Sequence, residues 1–184
     1  MEKITEFSVK QTAIPGLLEI DISLIEDSRG WFQEKFQKEK LVAAGFPADF
    51  VVVQQNVNFN KAGTIRGIHA EPWDKYVSII AGSVYAVYVD LRPENFGKKV
   101  ILELNPKKAV FVPRGVANSF QALEDNTYYQ YLVNEHWSAQ GQYLSVNVAD
   151  PDLAIQWPIS LDKAIISEKD KNSPMLKDLK PFIS

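Results

Sequence analysis

Residues 64 to 76, TIRGIHAEPWDKY, concentrate the side chains best suited to chemistry. His69 lies here with Arg66, Glu71 and Lys75, and it is one of only two histidines in the chain. An imidazole changes charge near neutral pH, so it can act as a base, bind a metal or form hydrogen bonds within a core. The segment by itself leaves these three roles open.

A metal site would need more ligands than this segment offers. Metal-binding β-barrels often carry two histidines as His-x-His, but here the order is His69-Ala70-Glu71. His136 is the only other imidazole, and the chain has no cysteine. Because zinc, iron and nickel sites are built largely from imidazole and thiolate ligands, the sequence favours a site without a metal.

The role of a general base fits the remaining side chains better. A carboxylate beside an imidazole orients it and stabilises its protonated form, and a nearby lysine stabilises an oxyanion. Lys75 follows a turn at Pro72 and can therefore return beside His69. These groups suit removal of a proton next to a carbonyl, with the resulting enolate held by cations.

The elements that position these residues are predicted to be strands. Short runs rich in Val, Ile and Tyr indicate an antiparallel all-β fold with few helices, with strands at 50–59, 76–92, 99–106, 109–115, 127–133 and 142–148. Helical composition appears at 32–45, and one or two short turns of helix are expected within 168–179. If 64–70 is extended, Arg66 and Ile68 share one face, and Gly67 and His69 the other.

Length and composition predict one soluble domain spanning residues 1–184. Hydrophobic residues make up 46% of the chain and charged residues 23%, which is ordinary for a globular protein. A net charge of −3 gives no general reason to expect nucleic acid or an anionic membrane as a partner. The N-terminal residues resemble no signal peptide, no segment approaches ~20 apolar residues, and cysteine is absent, so we expect a cytoplasmic protein.

Eight segments occur in order over nearly the whole chain: DSRGWFQEKF (27–36), VQQNV (53–57), IRGIHAEPWDKY (65–76), VDLRPENFGK (89–98), VFVPRGVANSF (110–120), YLVNEHWS (131–138), DPDLAIQWP (150–158) and ISEKDKNSP (166–174). Together they closely resemble the dTDP-4-dehydrorhamnose 3,5-epimerase family of metal-free cupins. The resemblance implies a cupin-type jelly-roll barrel, a homodimer, no cofactor, and a dTDP-linked 4-keto-6-deoxy sugar as substrate.

The resemblance also implies catalytic roles at matching positions. His69 stands where the family has its base, and Asp170 matches the aspartate that pairs with it. Tyr131 matches the tyrosine that acts as the acid on the opposite face of the sugar. Lys75 and Arg66 match cations near the O4 oxygen of the substrate and its phosphates.

Substrate-binding roles follow from the same matching. Arg29, Phe32 and Glu34 belong to the first segment, and Gln54 and Asn56 to the second. Guanidinium groups such as that of Arg29 suit a pyrophosphate. Trp73 or Trp137 is a candidate to stack on the thymine.

Two positions depart from the pattern of many members, which have histidine where this chain has Asn118 and glutamate where it has Arg114. Asn118 can still form hydrogen bonds with the substrate but cannot titrate, and Arg114 adds a cation able to reach a phosphate. His136 falls where many members have tyrosine. These departures leave the nucleotide specificity and the number of epimerised carbons open.

The resemblance implies epimerisation at C3 and C5 of dTDP-4-dehydro-6-deoxy-D-glucose to dTDP-4-dehydro-L-rhamnose, a step of dTDP-L-rhamnose biosynthesis. No nicotinamide is needed, because the proton next to a ketone is acidic enough. Other functions stay open: a 3-epimerase or ketoisomerase on a related sugar nucleotide, and a non-catalytic sugar-nucleotide-binding or metal-dependent cupin.

Overall fold

The computed structural model describes residues 5–183, so residues 1–4 and 184 lie outside the description. The predictions of one domain over 1–184 and of no signal peptide both include those outer residues, so they lie in part outside the described residues. Within 5–183 the chain is almost entirely β-structure in two antiparallel sheets that face each other, which confirms the all-β prediction. No helix of this part of the chain is long and apolar enough to cross a membrane.

The strands are numbered in chain order, and the first sheet contains, from edge to edge, β1 (Phe7–Gln11), β2 (Leu18–Ile22), β10 (Lys108–Val112), β7 (Lys75–Ala81), β12 (Thr127–Val133) and β5 (Gln54–Asn60). The second sheet contains β13 (Leu144–Ser145), β6 (Thr64–Ala70), β11 (Val116–Ala122), β8 (Val84–Asp90) and β9 (Lys99–Leu104). β14 (Ile165–Ile166) adds to β6 in parallel, while β3 (Ile25–Asp27) and β4 (Gly30–Phe32) form a separate hairpin.

Strand alternation builds the core between the sheets. On β8 the side chains of Val84, Ala86 and Tyr88 enter the apolar layer between the two sheets, whereas Val87 and Val89 pack on the outer face. A nearly continuous run of apolar residues fits a strand that is covered on both faces. The outer face of the second sheet is covered by the C-terminal part of the chain.

The outer face of the first sheet packs against the region of helix α1 (Lys38–Ala43). Phe36, Phe46 and Phe50 contact one another edge to face, and Phe46 also meets Tyr76 of β7 and Phe111 of β10. Each of these aromatic pairs adds to the apolar burial. This cluster fixes the outer side of the sheet that carries Lys75 and Tyr131 on its inner side.

The helical composition of 32–45 predicts a longer helix than the structure contains. α1 covers only six residues, and the start of the segment belongs to β4. In between, Gln33 and Lys35 donate side-chain hydrogen bonds to the backbone carbonyls of Ile22 and Pro106, at 3.1 and 2.5 Å. These contacts hold the segment extended and override its helix propensity. The turns expected within 168–179 are confirmed by α2 (Glu168–Lys171) and a 3₁₀ turn at Leu176–Asp178.

β6 departs from the predicted alternation. β11 pairs Asn118 with His69 and Phe120 with Arg66, so two steps along β11 match three along β6. Such an irregularity shifts the alternation of side chains by one residue. Arg66 and His69 therefore line the same cavity, while Ile68 is buried against the C-terminal part of the chain. The prediction that Arg66 and Ile68 share a face is wrong.

Gly67 lies at this irregularity with φ of +113°, and a Cβ added there would stand 2.6 Å from the carbonyl oxygen of Asn118 and 2.9 Å from Cα of Ser119. We expect Gly67→Ala to lower the free energy of unfolding by at least about 2 kcal/mol, because a steric clash is added to an unfavourable backbone conformation. Chemical denaturation at one fixed protein concentration measures the change.

Gly45→Ala is the matched control. Gly45 has a similar φ of +104°, but no described atom lies within 4 Å of its added Cβ. Its substitution tests the backbone conformation alone and should cost about 1 kcal/mol. Equal losses in the two variants would contradict the close-contact explanation.

Candidate active site

A polar cavity of about 310 Å³ opens between the two sheets near the turn that joins β6 to β7. β6 and β7 belong to different sheets, so this turn crosses from one sheet to the other. His69 near the end of β6 and Lys75 at the start of β7 thereby border the same space. The full lining is Asn58, Arg66, His69, Glu71, Lys75, Asn118, Phe120, Tyr129, Tyr131, Ser167, Lys169 and Asp170.

His69 and Asp170 form a close imidazole–carboxylate pair in the cavity. Nε2 of His69 lies 2.6 Å from Oδ1 of Asp170, although 101 residues separate them in sequence. The carboxylate side chain is only 7% exposed, whereas the imidazole is 33% exposed. Because a carboxylate only accepts hydrogen bonds, Nε2 carries the proton of this bond and Nδ1 is the acceptor in the neutral ring. The pair is therefore built as an oriented base.

Asp170 reaches His69 through a local arrangement of the C-terminal part of the chain. β14 runs parallel to β6 and brings the segment that follows it beside the strand of His69. Ser167 then caps α2, its hydroxyl accepting from the Asp170 N–H at 3.1 Å. The second carboxylate oxygen accepts from the Gly67 N–H at 3.5 Å. These bonds keep a buried carboxylate both partnered and aimed.

Lys75 places a buried ammonium in the same cavity. Its residue is 5% exposed, and Nζ donates to Oδ1 of Asn118 at 2.7 Å and to Oε2 of Glu71. Nζ also lies 5.7 Å from the centre of the Tyr131 ring, within range of a cation–π contact. An ammonium has three N–H groups, so two protein acceptors leave one for a ligand.

Tyr131 lies on β12, on the inner face of the first sheet, and is half-buried. Burial raises the pKa of Tyr131, the charge of Glu71 raises it further, and Arg66 opposes the shift. The phenol therefore keeps its proton at neutral pH and can act as an acid. Neighbouring Tyr129 is fully buried and stacks on Phe120 with ring centres 4.2 Å apart.

Arg66 lines this cavity, and two polar residues of β5 lie on the same inner face of the first sheet without bordering the cavity. Nε of Arg66 donates to Oδ1 of Asn60 at 2.9 Å, which fixes the guanidinium at the cavity wall. Asn56 pairs with Tyr131 across β5 and β12, and directly paired residues point to the same face of a sheet. Gln54 donates to Oδ1 of Asn56 at 2.9 Å. Sequence-predicted Gln54, Asn56 and Arg66 thus lie on the inner side with the catalytic group.

A second cavity of about 420 Å³ adjoins the first and shares His69, Glu71 and Lys169 with it. Its walls add the aromatic side chains of Trp73, Trp137 and Tyr143. Tyr143 meets Trp73 edge to face at 5.5 Å and lies nearly parallel to Trp137 at 6.4 Å between ring centres. A flat, apolar ring fits such walls better than a sugar does.

Besides Gln54 and Asn56, four more predicted substrate-binding residues do not line either of these cavities. Arg29, in the β3–β4 hairpin, is 89% exposed and pairs with Asp27. Phe32, from the same hairpin, is 62% exposed. Glu34 forms an ion pair with Lys40 at 2.5 Å. The fourth of these residues, Arg114, is described next.

Arg114 borders a different cavity of about 390 Å³, and its guanidinium pairs with Glu135 at 2.9 Å and with Asp74 at 3.4 Å. Asn118, by contrast, is within the catalytic cavity, where it accepts from Lys75. His136 is exposed, and its Nδ1 lies 3.4 Å from Oε1 of Gln54.

Sequence reasoning missed the roles of several cavity residues. Glu71 was considered only as a local carboxylate near His69, although it bonds to Lys75 and borders both cavities. Lys169 also borders both cavities and has no predicted role, although its position beside Asp170 is an available signal. Among residues 5–183, no group of three His, Asp or Glu side chains is arranged to hold a metal.

The sequence profile of the dTDP-4-dehydrorhamnose 3,5-epimerase family matches residues 11–178. The RmlC homolog protein of Streptococcus pyogenes serotype M6 is 49% identical over 176 residues, covering 92% of this chain and 89% of its own. The dTDP-4-dehydrorhamnose 3,5-epimerase of Methanothermobacter thermautotrophicus is 31% identical, covering 95% and 97%.

Among solved structures, RmlC from Streptococcus suis in complex with dTDP-D-xylose superposes with a TM-score of 0.90 at 47% identity, covering 96% of this chain and 94% of that one. The likeness extends over almost the whole of both chains. The chain therefore belongs to the dTDP-4-dehydrorhamnose 3,5-epimerase family.

Proposed function

We propose that this enzyme epimerises C3 and C5 of dTDP-4-dehydro-6-deoxy-D-glucose and yields dTDP-4-dehydro-L-rhamnose, for dTDP-L-rhamnose biosynthesis in the cytoplasm. The observation that carries the proposal is the His69–Asp170 pair at 2.6 Å, in one cavity with the Lys75 ammonium and the Tyr131 phenol. The absence of cysteine suits a reducing compartment.

The first step is removal of a proton next to the C4 ketone. Nδ1 of His69 takes the proton from C5. The C–H electron pair forms a double bond between C4 and C5, and the π electrons of the ketone move to O4, which becomes the enolate oxygen. Asp170 stabilises the imidazolium that forms, because its buried carboxylate already faces Nε2. Once His69 has released its proton to water and the acid that completes the first inversion has regained one, the same base acts at C3, which is also next to the ketone.

Lys75 stabilises the charge on O4. Its ammonium is buried, so the interaction takes place with little screening by water, where one such donor is worth roughly 3–4 kcal/mol. Tyr131 returns a proton to the carbon from the face opposite His69, which inverts the centre. The raised pKa of Tyr131 keeps the phenol protonated until that step.

The nucleotide part extends along the second cavity. Arg66 lies at the wall of the first cavity and suits a phosphate oxygen. Trp73 and Trp137 offer faces on which the thymine can stack. Gln54 and Asn56 supply amides on the inner face of β5 for polar atoms of the substrate.

The homodimer is part of the proposal, and an apolar outer surface on β5 supports it. Val57 and Phe59 point outward from this edge strand and are 51% and 47% exposed, beside Tyr128 at 41%. Exposed apolar edge strands are usually covered by another chain. Arg29 and Phe32 are exposed in the β3–β4 hairpin, so their predicted role in substrate binding would be fulfilled at the cavity of the second copy.

His69→Ala should reduce incorporation of solvent deuterium into dTDP-4-dehydro-6-deoxy-D-glucose by at least about 100-fold, because no other imidazole lines the described cavities. NMR in D2O measures the incorporation at C3 and C5. His136→Ala is the matched control and should retain exchange. Full exchange by His69→Ala would contradict the base assignment.

The same spectra of the wild-type enzyme separate the candidate functions. Label at C3 and C5 with inverted centres supports the double epimerase, and label at C3 alone supports a 3-epimerase. Tight binding of dTDP without any exchange would indicate a non-catalytic sugar-nucleotide-binding protein. Exchange that stops with EDTA would indicate a metal-dependent cupin.

Tyr131→Phe should separate exchange from inversion. Without the phenolic proton, His69 still removes and returns a proton on one face, so deuterium enters while inverted product falls at least about 100-fold. Coupling constants in the NMR spectrum distinguish the two configurations. Tyr85→Phe, outside both cavities, should leave both rates unchanged, and a proportional loss of exchange and inversion in Tyr131→Phe would refute the acid role.

Phe59→Glu should convert the proposed dimer to a monomer, because it places a charge in the apolar surface of β5. Light scattering coupled to gel filtration should give twice the 20.8 kDa chain mass for the wild type and the single mass for the variant. Ile183→Glu is the control, since Ile183 is 77% exposed and lies away from β5 in sequence and strand order. A monomeric wild type would overturn this part of the proposal.

A further inference from the structure

We propose that Glu71 is a positioning residue for the epimerisation: together with Asn118 it holds the Lys75 ammonium in the place where O4 of the substrate must receive it. This inference rests on the proposed function and concerns a residue that the family resemblance left without a role.

Lysine needs such support more than arginine would. Its ammonium is a point charge on a flexible four-carbon chain, whereas the planar guanidinium of arginine is pre-organised and loses less freedom for each hydrogen bond that it forms. An oxyanion is stabilised only by a donor that is already in position when charge develops. The two acceptors Glu71 and Asn118, with the Tyr131 ring at 5.7 Å, restrict Nζ on three sides.

Glu71 and Asn118 approach Lys75 from two different elements. Glu71 lies four residues before Lys75 in the turn between β6 and β7, and Asn118 lies on β11 directly opposite His69. Asn118 thereby connects the site of the ammonium to the strand of the base. The ammonium and the imidazole are held relative to each other as well as to the cavity.

The turn that carries Glu71 is itself held rigidly. The carboxylate of Asp74 accepts from the Arg114 N–H at 2.8 Å and from the Asn134 side chain at 2.8 Å, and the Asp74 N–H donates to Asn134 at 2.9 Å. The Glu71 carbonyl accepts from the Gly115 N–H at 3.4 Å. A fixed backbone lets a short side chain such as Glu71 determine where Nζ lies.

Glu71 also balances the charge of the site. The other ionisable groups that line the first cavity are Arg66, His69, Tyr129, Tyr131, Lys169 and Asp170. Without Glu71, the cations Arg66, Lys75 and Lys169 would face the single carboxylate of Asp170. One carboxylate beside Nζ satisfies that ammonium in the empty site without occupying its third N–H group.

The test measures kcat and KM of wild type, Glu71→Gln, Lys75→Met and the double variant in the deuterium-exchange assay. Glu71→Gln keeps the shape of the side chain and removes its charge. We expect kcat to fall about 10- to 100-fold with KM changed less than about 3-fold, because mispositioning affects the charge that develops in the transition state. In the Lys75→Met background the same change should alter kcat less than about 2-fold, since Glu71 then has nothing to position.

Glu19→Gln is the matched control. Glu19 pairs with Lys108 at 2.5 Å in a partly exposed ion pair outside the cavity. Lys108 begins β10, whereas Val112 at the end of β10 pairs with Lys75. This control should keep kcat within about 2-fold. Binding of dTDP by each variant verifies its fold. If Glu71→Gln fails to bind dTDP, Glu71→Asp, whose side chain is one methylene shorter, replaces it in the comparison.

Two results would overturn the inference. One is wild-type kcat in Glu71→Gln, and the other is an equal loss with and without Lys75, which would show that Glu71 acts independently of the ammonium. A wild-type enzyme without any exchange would instead refute the proposed function, so the two failures are distinguishable.

Discussion

The need to partner charges inside a β-barrel organises this site. Asp170 and Lys75 are each about 5% exposed, and a charge in such surroundings is tolerated only with hydrogen-bonding partners. The carboxylate of Asp170 is therefore matched by His69 and by the Gly67 N–H, while the Ser167 hydroxyl holds the backbone N–H of Asp170. The pairing that burial demands also fixes the orientation of the His69 imidazole, so the proposed base is oriented by the contacts that stabilise the buried carboxylate.

The irregular pairing of β6 with β11 makes this arrangement possible. A regular strand would turn Arg66 and His69 to opposite faces, because they are three residues apart. The extra residue on β6 brings both to the cavity, and Gly67 fits only because its missing side chain leaves room for Asn118 and Ser119. One local departure from strand geometry thus brings Arg66 and His69 together on the inner face.

The sequence predicted the elements whose signal is local. The runs of Val, Ala and Tyr in β8 and of Tyr and Leu in β12 predict strands. Their residues pack in apolar layers on both faces of a sheet, so the signal lies within each strand. β2 carries Leu18, Ile20 and Ile22 at every second position, a signal that was present but not used. The late start of α1 was not predictable from the local sequence. The residues just before it, Gln33 and Lys35, bond instead to the backbone of Ile22 and Pro106.

The same contrast between local signals and contacts of distant residues applies to the candidate site. That His69, Lys75 and Tyr131 would meet followed from the resemblance and not from spacing, since three strands of two sheets carry them. The partner of Lys75 was within four residues and still not recognised, because the geometry of a turn decides whether Glu71 reaches it. Arg114 shows the converse: a cation that seemed free to bind phosphate is held by Asp74 and Glu135. Where a charged side chain points depends on the opposite charge with which it pairs. In this fold the turn between β6 and β7 supplies such a partner to both cations, Glu71 to Lys75 and Asp74 to Arg114.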